Sequence, residues 1–187
     1  SLAQNLFLAD TAPPEVYTVW HRAKAAGLAS STVGLIQDLI ACPGGDFCSL
    51  ANARSLPVAA AIQERFEDLD YQHDIGDLDL NISGCMNSCG HHHLGAIGIL
   101  GVDKNGEEWY QVTLGGRQGN DARIGEVIGR AFAAAEVPAV VERLITAYVT
   151  HRYADERFID TFERIGIEVF HNAAYHHPHP SRRVANG

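Results

Sequence analysis

Residues 77–93 read DLDLNISGCMNSCGHHH. The first seven alternate strictly: Leu78, Leu80 and Ile82 fall on one side and Asp79, Asn81 and Ser83 on the other, the period of a half-buried β-strand. That strand runs directly into Cys85 and Cys89, set between Gly84 and Gly90, and then into His91, His92 and His93. Upstream the pattern repeats. The strand-like run VGLIQDLIAC (33–42) ends in the first member of a second pair, Cys42-PGGDF-Cys48. Each pair thus occupies a loop directly after a strand. Four thiolates from two such loops can converge on one site, and Gly44, Gly45, Gly84 and Gly90 allow tight turns and close backbone approach.

Moving outward, NLFLAD (5–10) reads as a short strand. APPEVYTVWHRAKAAGL (12–28) reads as a helix, with proline in its first turn and Gly27 near its end. The segment 51–68 is expected to be helical, because Val58, Ile62, Phe66 and Leu69 recur at three- and four-residue spacing. AIGILGVD and EEWYQVTLGG form two strands joined through Lys104-Asn105-Gly106, a strong hairpin signal. From about Val137 to Ala174 the chain reads as mainly helical, ending in a His/Pro/Arg tail. Strands interspersed with helices predict an α+β (α/β-like) domain, a mixed sheet flanked by helices.

The 187 residues suffice for one sizeable core, and 46% hydrophobic with 20% charged residues is ordinary globular composition. The net charge of −9 argues against nucleic acid or an anionic membrane surface as partner. No apolar run approaches a membrane span, and no secretory pattern is visible, so the cytoplasm is the expected compartment. The chain has no initiator Met, and Ser1 leads straight into what reads as a folded element, so it is expected to be a piece of a longer polypeptide.

Three uses of the four cysteines compete. Disulfides suit a reducing compartment poorly. A structural zinc prefers closer spacing than the five-residue gap between Cys42 and Cys48. A [4Fe–4S] cluster also takes four cysteines and tolerates unequal spacings. His91, His92 and His93 cannot all ligate one ion from regular backbone. They are expected to open a short helix after Cys89 with one or two facing solvent, unless one supplies a proton or hydrogen bond near a cofactor. His176, His177 and His179 are assigned no role.

Cys-x5-Cys followed by Cys-x3-Cys, with GCMNSCG after an alternating strand, resembles the sirohaem-dependent nitrite and sulfite reductases. The likeness is to the C-terminal half of the assimilatory sulfite reductase haemoprotein, from QNLFLAD to VTLGGRQG and more loosely beyond. The resemblance implies that Cys42, Cys48, Cys85 and Cys89 hold a [4Fe–4S] cluster and that Cys89, the catalytic cysteine, also bridges to the sirohaem iron. It places Asn87 and Gln4 against the macrocycle, and Arg117 in the GGRQG loop is the candidate for a sirohaem carboxylate.

The implied reaction is the six-electron reduction of sulfite to sulfide in sulfur assimilation and cysteine biosynthesis. The alternatives are nitrite reduction in the same family, a haem-free [4Fe–4S] electron-transfer module and a zinc-stapled structural domain. The implied division is residues 1–30 as the end of a second ferredoxin-like half-domain, 31–175 as the sirohaem and cluster domain, and 176–187 as a tail. The implied partners are the N-terminal half of the same polypeptide, which carries the basic cluster for the small anion substrate, and an electron donor, either a flavoprotein reductase or a ferredoxin. Met86, Ser88 and the three histidines depart from the family pattern without touching the ligands.

Overall fold

A computed structural model of the chain describes residues 4–175; the tail histidines lie outside the described residues. Helix α1 (Val16–Ala25) is followed by strand β1 (Ile40–Ala41), helices α2 (Leu56–Arg65) and α3 (Leu69–Ile75), and strand β2 (Leu80–Ser83). Strands β3 (Ile97–Lys104) and β4 (Glu107–Leu114) come next, then the short β5 (Glu126–Val127) and β6 (Phe132–Ala133). Helices α4 (Val137–His151), α5 (Phe158–Ile165) and α6 (Ile167–Tyr175) close the order.

The strands form one mixed sheet. β1, β2 and β3 are parallel neighbours, β4 returns antiparallel to β3, and β5 and β6 both pair with the far side of β4. Register sets the two faces. Ala41 lies beside Ile82, Ile82 beside Ile99 and Ile99 beside Val112, while Leu80 lies beside Ile97 and Ile97 beside Leu114. This apolar face is sealed by the helices. Val137, Val140, Val141, Leu144, Ile145 and Tyr148 recur on one stripe of α4, all buried, so α4 becomes the central prop of the core. Arg65 to Glu142 at 2.6 Å ties α2 to α4, and the Tyr148 hydroxyl donates to the carbonyls of Ile75 and Glu156.

The predicted hairpin is present. Asn105 (φ 59°) and Gly106 (φ 82°) are both left-handed, the geometry of a two-residue type I′ turn. The helical C-terminal third is also as read, and Val58, Ile62 and Phe66 are buried. Leu69, counted with the same helix, instead opens α3, where Asp68 caps the backbone N–H of Tyr71.

Three expectations change. Residues 5–10 are not a strand: Leu6, Phe7 and Leu8 are exposed and no strand pairs with them, and backbone extended in isolation has no ladder to join. Residues 33–39 are turns, leaving a strand of two residues before Cys42. β2 is buried on both faces rather than one, because it lies between parallel neighbours and the loop after it folds back over Asn81 and Ser83. Helix α1 buries none of its side chains. Among the described residues no helix is long and apolar enough to cross a membrane.

Candidate metal centre

Because β1 and β2 are parallel neighbours, the loops that leave their C-terminal ends start side by side. The backbone N–H of Cys42 donates to the carbonyl of Ile82, and the N–H of Gly84 donates to Cys42 Sγ at 3.1 Å. The carbonyl of Gly84 accepts from Asn52 and Ala53, so the irregular segment following the first cysteine pair is laced to the start of the second loop. The contact is close enough to require glycine. A Cβ on Gly84 would stand 2.6 Å from the Ala53 oxygen and 2.9 Å from Gly44 Cα. The Ser55 hydroxyl completes the pocket around Cys42, 3.4 Å from its sulfur.

All four thiols are unpaired; Cys42 and Cys85 are buried, Cys48 is half-buried and Cys89 is exposed. Among the described residues, no three His, Cys, Asp or Glu side chains are gathered closely enough to hold a single metal ion. One tetrahedral ion needs its sulfurs about 2.3 Å from a common point, whereas each ligand of a cubane binds a different iron and stands farther from its fellows. A donor set of four free thiols on two adjoining glycine-rich loops, with a backbone N–H already aimed at one sulfur, suits the latter group.

The loop after Cys85 is built as consecutive turns. Ser88 N–H donates to the Cys85 carbonyl, His91 N–H to the Ser88 carbonyl and Leu94 N–H to the His91 carbonyl. Buried polar groups of β2 hold these turns down: Asn81 Nδ2 donates to the His91 carbonyl at 3.0 Å, and Ser83 Oγ accepts from the Gly90 N–H at 3.1 Å. On the other side Gly98 of β3 lets the His92 carbonyl approach, since a Cβ there would lie 2.0 Å from that oxygen.

Of the three histidines, His91 and His93 are exposed and His92 is 1% exposed, in the short 3-10 turn His92–Leu94. Burial, with His93 adding to it, pushes the His92 imidazole down to about 4, so it is neutral at pH 7. Its Nδ1 lies 3.1 Å from Ser88 Oγ. Sequence reasoning missed Ser55, Asn81, Ser83 and the Ser88–His92 pair; for Asn81 and Ser83 the signal was the polar half of an alternating strand, which reads equally well as a solvent face, and the others carried none.

The remaining predicted residues lie as follows. Asn87 is exposed, as is its neighbour Met86. The Gln4 carboxamide pairs with both backbone groups of Ala41, donating to its carbonyl at 2.8 Å and accepting from its N–H at 3.1 Å, and so caps the edge strand next to Cys42. Arg117 is engaged with α5, 3.2 Å from Glu163 and 3.9 Å from Asp160. The other cations flanking the loops in sequence are engaged too: Arg54 with Glu108, Arg65 with Glu142, Arg123 with Glu126 and Glu163, and Lys104 over the Trp109 ring. A cavity of about 390 Å³ beside the second loop is lined by Asp38, Ile40, Asp79, Asn81 and His91, a lining with two carboxylates and no Lys or Arg.

Comparison with known proteins matches residues 35–179 to the family model described as the nitrite and sulphite reductase 4Fe-4S domain. The chain is 33% identical over 144 residues to a sulfite reductase [ferredoxin] of Mycobacterium tuberculosis, covering 72% of this chain and 26% of that protein. It is 31% identical over 132 residues to an assimilatory ferredoxin-dependent nitrite reductase of Haloferax mediterranei, covering 68% and 22%. Among solved structures, the Mycobacterium tuberculosis NirA protein superposes with a TM-score of 0.71 at 28% identity, covering 86% of this chain and 31% of that one. The chain thus spans about a quarter of the length of these two curated relatives.

Proposed function

Because the chain belongs to the nitrite and sulphite reductase 4Fe-4S domain family, we propose that it is the cofactor-carrying C-terminal part of a cytoplasmic sulfite reductase haemoprotein. In this reading Cys42, Cys48, Cys85 and Cys89 hold a [4Fe–4S] cluster and Cys89 bridges it to sirohaem. The observation that carries the reading is the lateral contact of the two cysteine loops at the ends of parallel β1 and β2, fastened by the Gly84 N–H on Cys42 Sγ. When bound, the two groups supply an electron store and a substrate-binding iron for the six-electron reduction of sulfite to sulfide.

The protein's own part is positional and electrostatic. The Gly84 N–H draws electron density from one sulfur and so favours the reduced state of whatever the sulfur binds. Asn81 and Ser83 fix the loop that carries Cys85 and Cys89. Phe47, Leu50 and Met86, exposed beside the cysteines, offer an apolar surface suited to a flat macrocycle. In this reading the exposed Asn87 would also face the macrocycle, and Gln4, bonded to Ala41, would line it from beside Cys42. Arg117, held to Glu163 and Asp160 through one guanidinium nitrogen, would meet a macrocycle carboxylate with its other N–H groups.

The anion-binding cations belong to an N-terminal half of the same polypeptide. That half covers the exposed Leu6, Phe7, Val16 and Tyr17 of a segment (1–30) that ends a second ferredoxin-like unit, while 31–175 form the cofactor domain. The engagement of Arg54, Arg65, Arg117 and Arg123 with carboxylates supports this division. The electron donor is a ferredoxin or a flavoprotein reductase, and the ferredoxin named for both relatives favours the first.

Anaerobic reconstitution with iron and sulfide tests the cluster. Four irons and four acid-labile sulfides per chain are expected, with loss of the cluster chromophore on Cys→Ser substitution at any of the four positions. Uptake of one zinc in their place, or oxidation to two disulfides in the native protein, overturns the reading. With the full polypeptide and an artificial donor, faster turnover of sulfite than of nitrite is expected; the reverse order makes it a nitrite reductase of the same family.

A further inference from the structure

Ser88 stands at the hinge of the second cysteine loop. It closes the turn begun by Cys85 and opens the next turn, ending at His91, with Cys89 directly inside it. Its φ is 57°, a left-handed conformation that costs any residue bearing a Cβ and that glycine adopts freely. A serine held there needs a compensating contact, and one is present: the hydroxyl lies 3.1 Å from Nδ1 of the buried His92. His92 is itself immobilised, its carbonyl pressed against Gly98 and its ring 3.9 Å from that of His93. The chain of contact therefore runs from the sheet, through an imidazole, to the residue that sets the direction of Cys89.

We propose that His92 is a positioning residue for Cys89, acting through the Ser88 hydroxyl to lock the loop in the orientation in which that sulfur faces the cofactor; this rests on Cys89 being a cluster ligand. The role is distinct from ligation. The Nδ1 that faces Ser88 is occupied by the contact with its hydroxyl, and the part assigned to the ring is to hold the loop. It removes the freedom of the ligand loop to swing away, and second-shell groups of this kind commonly govern retention of a metal centre.

The test compares the full chain with His92→Leu, His92→Asn, Ser88→Ala and the Leu/Ala double variant, each assayed with and without cluster. Without iron, amide hydrogen exchange at position 88 and at His91, whose N–H groups close the two turns, is expected to quicken about five- to tenfold in His92→Leu and Ser88→Ala, with exchange in the β3–β4 hairpin unchanged. His92→Asn, which keeps a polar atom near Nδ1, is expected to stay close to the wild type. With cluster, a chelator should strip iron about 10–100-fold faster from either single variant, and the double variant should be no worse than the faster single.

Wild-type exchange at position 88 and at His91 in Ser88→Ala, or effects that multiply in the double variant, would overturn the inference. If His92→Leu does not fold, Ser88→Ala decides alone, since it alters only a half-buried loop hydroxyl. A wild-type chain that takes up no iron and sulfide sinks the cluster reading instead, and the iron-free exchange data still judge the His92–Ser88 link.

Discussion

Replacing Gly84 by alanine tests the contact between the two cysteine loops directly. The new methyl would be built 2.6 Å from the Ala53 carbonyl oxygen and 2.9 Å from Gly44 Cα, both backbone atoms that cannot rotate aside. Overpacking against fixed backbone costs about 1–3 kcal/mol. Separating the loops also weakens the Gly84 N–H to Cys42 Sγ bond and the two bonds that Asn52 and Ala53 make to the Gly84 carbonyl. A loss near the upper part of that range, about 2–3 kcal/mol, is expected, and for a chain of this size it corresponds to a fall in Tm of about 4–12 °C. The assay is a calorimetric melt of the iron-free chain beside two controls. Gly45→Ala meets only the Arg54 side chain at 3.3 Å, a flexible group, and should melt within about 1–2 °C of the wild type. Gly44→Ala combines φ +62° with a 2.4 Å approach to the Ser55 nitrogen and should be the most damaged of the three. If Gly84→Ala and Gly45→Ala melt together, the two loops are not in the contact described.

Two further outcomes can be measured on the same material. Asn81→Ala removes one of the two donors to the His91 carbonyl, leaving the Leu94 N–H, and should cost about 0.5–1.5 kcal/mol in urea unfolding, with quickened exchange at Leu94 and Gly95; unchanged exchange there would contradict the role given to Asn81. Glu156, accepting from Arg164 at 2.5 Å and from the Tyr153 N–H, has its carboxyl held at about 2 against an ordinary 4.5. Its folded-state pKa is depressed, so its stabilisation is complete above about pH 4.5 and is lost as pH falls toward 2. Glu156→Gln should flatten the acid limb of the urea midpoint between those values and leave its slope at neutral pH unchanged.

The parts of the fold legible in the sequence are those whose signals are local. Asn105-Gly106 demands left-handed backbone at two successive residues, and only a tight hairpin uses that. The apolar stripe of α4, from Val137 to Tyr148, repeats for about three turns and admits one period. NLFLAD failed because strand propensity is only permission to pair, and the partner is supplied by tertiary structure. Asn81 and Ser83 were misjudged for a related reason: alternation shows that two faces differ and does not show what covers the second. The cysteines were legible as a set, since their spacing survives without knowledge of the fold. The single buried histidine of three was not, because adjacent identical residues carry no burial signal and a left-handed His91 sets which ring turns inward. The engagement of Arg117 by Glu163 depends on residues more than forty positions apart, and no motif encodes it.

Each of the two loops places its first sulfur against the sheet and its second toward the outside. In the proposed reading, a cluster held by all four sulfurs would have a walled side and an open side. Behind the inward pair lie aliphatic core, hydrogen-bonded backbone and the Ser55 hydroxyl. Reagents and dioxygen meet the exposed Cys89 first and the half-buried Cys48 after it, and in the proposed reading a macrocycle bridged by Cys89 would shield part of that outward side.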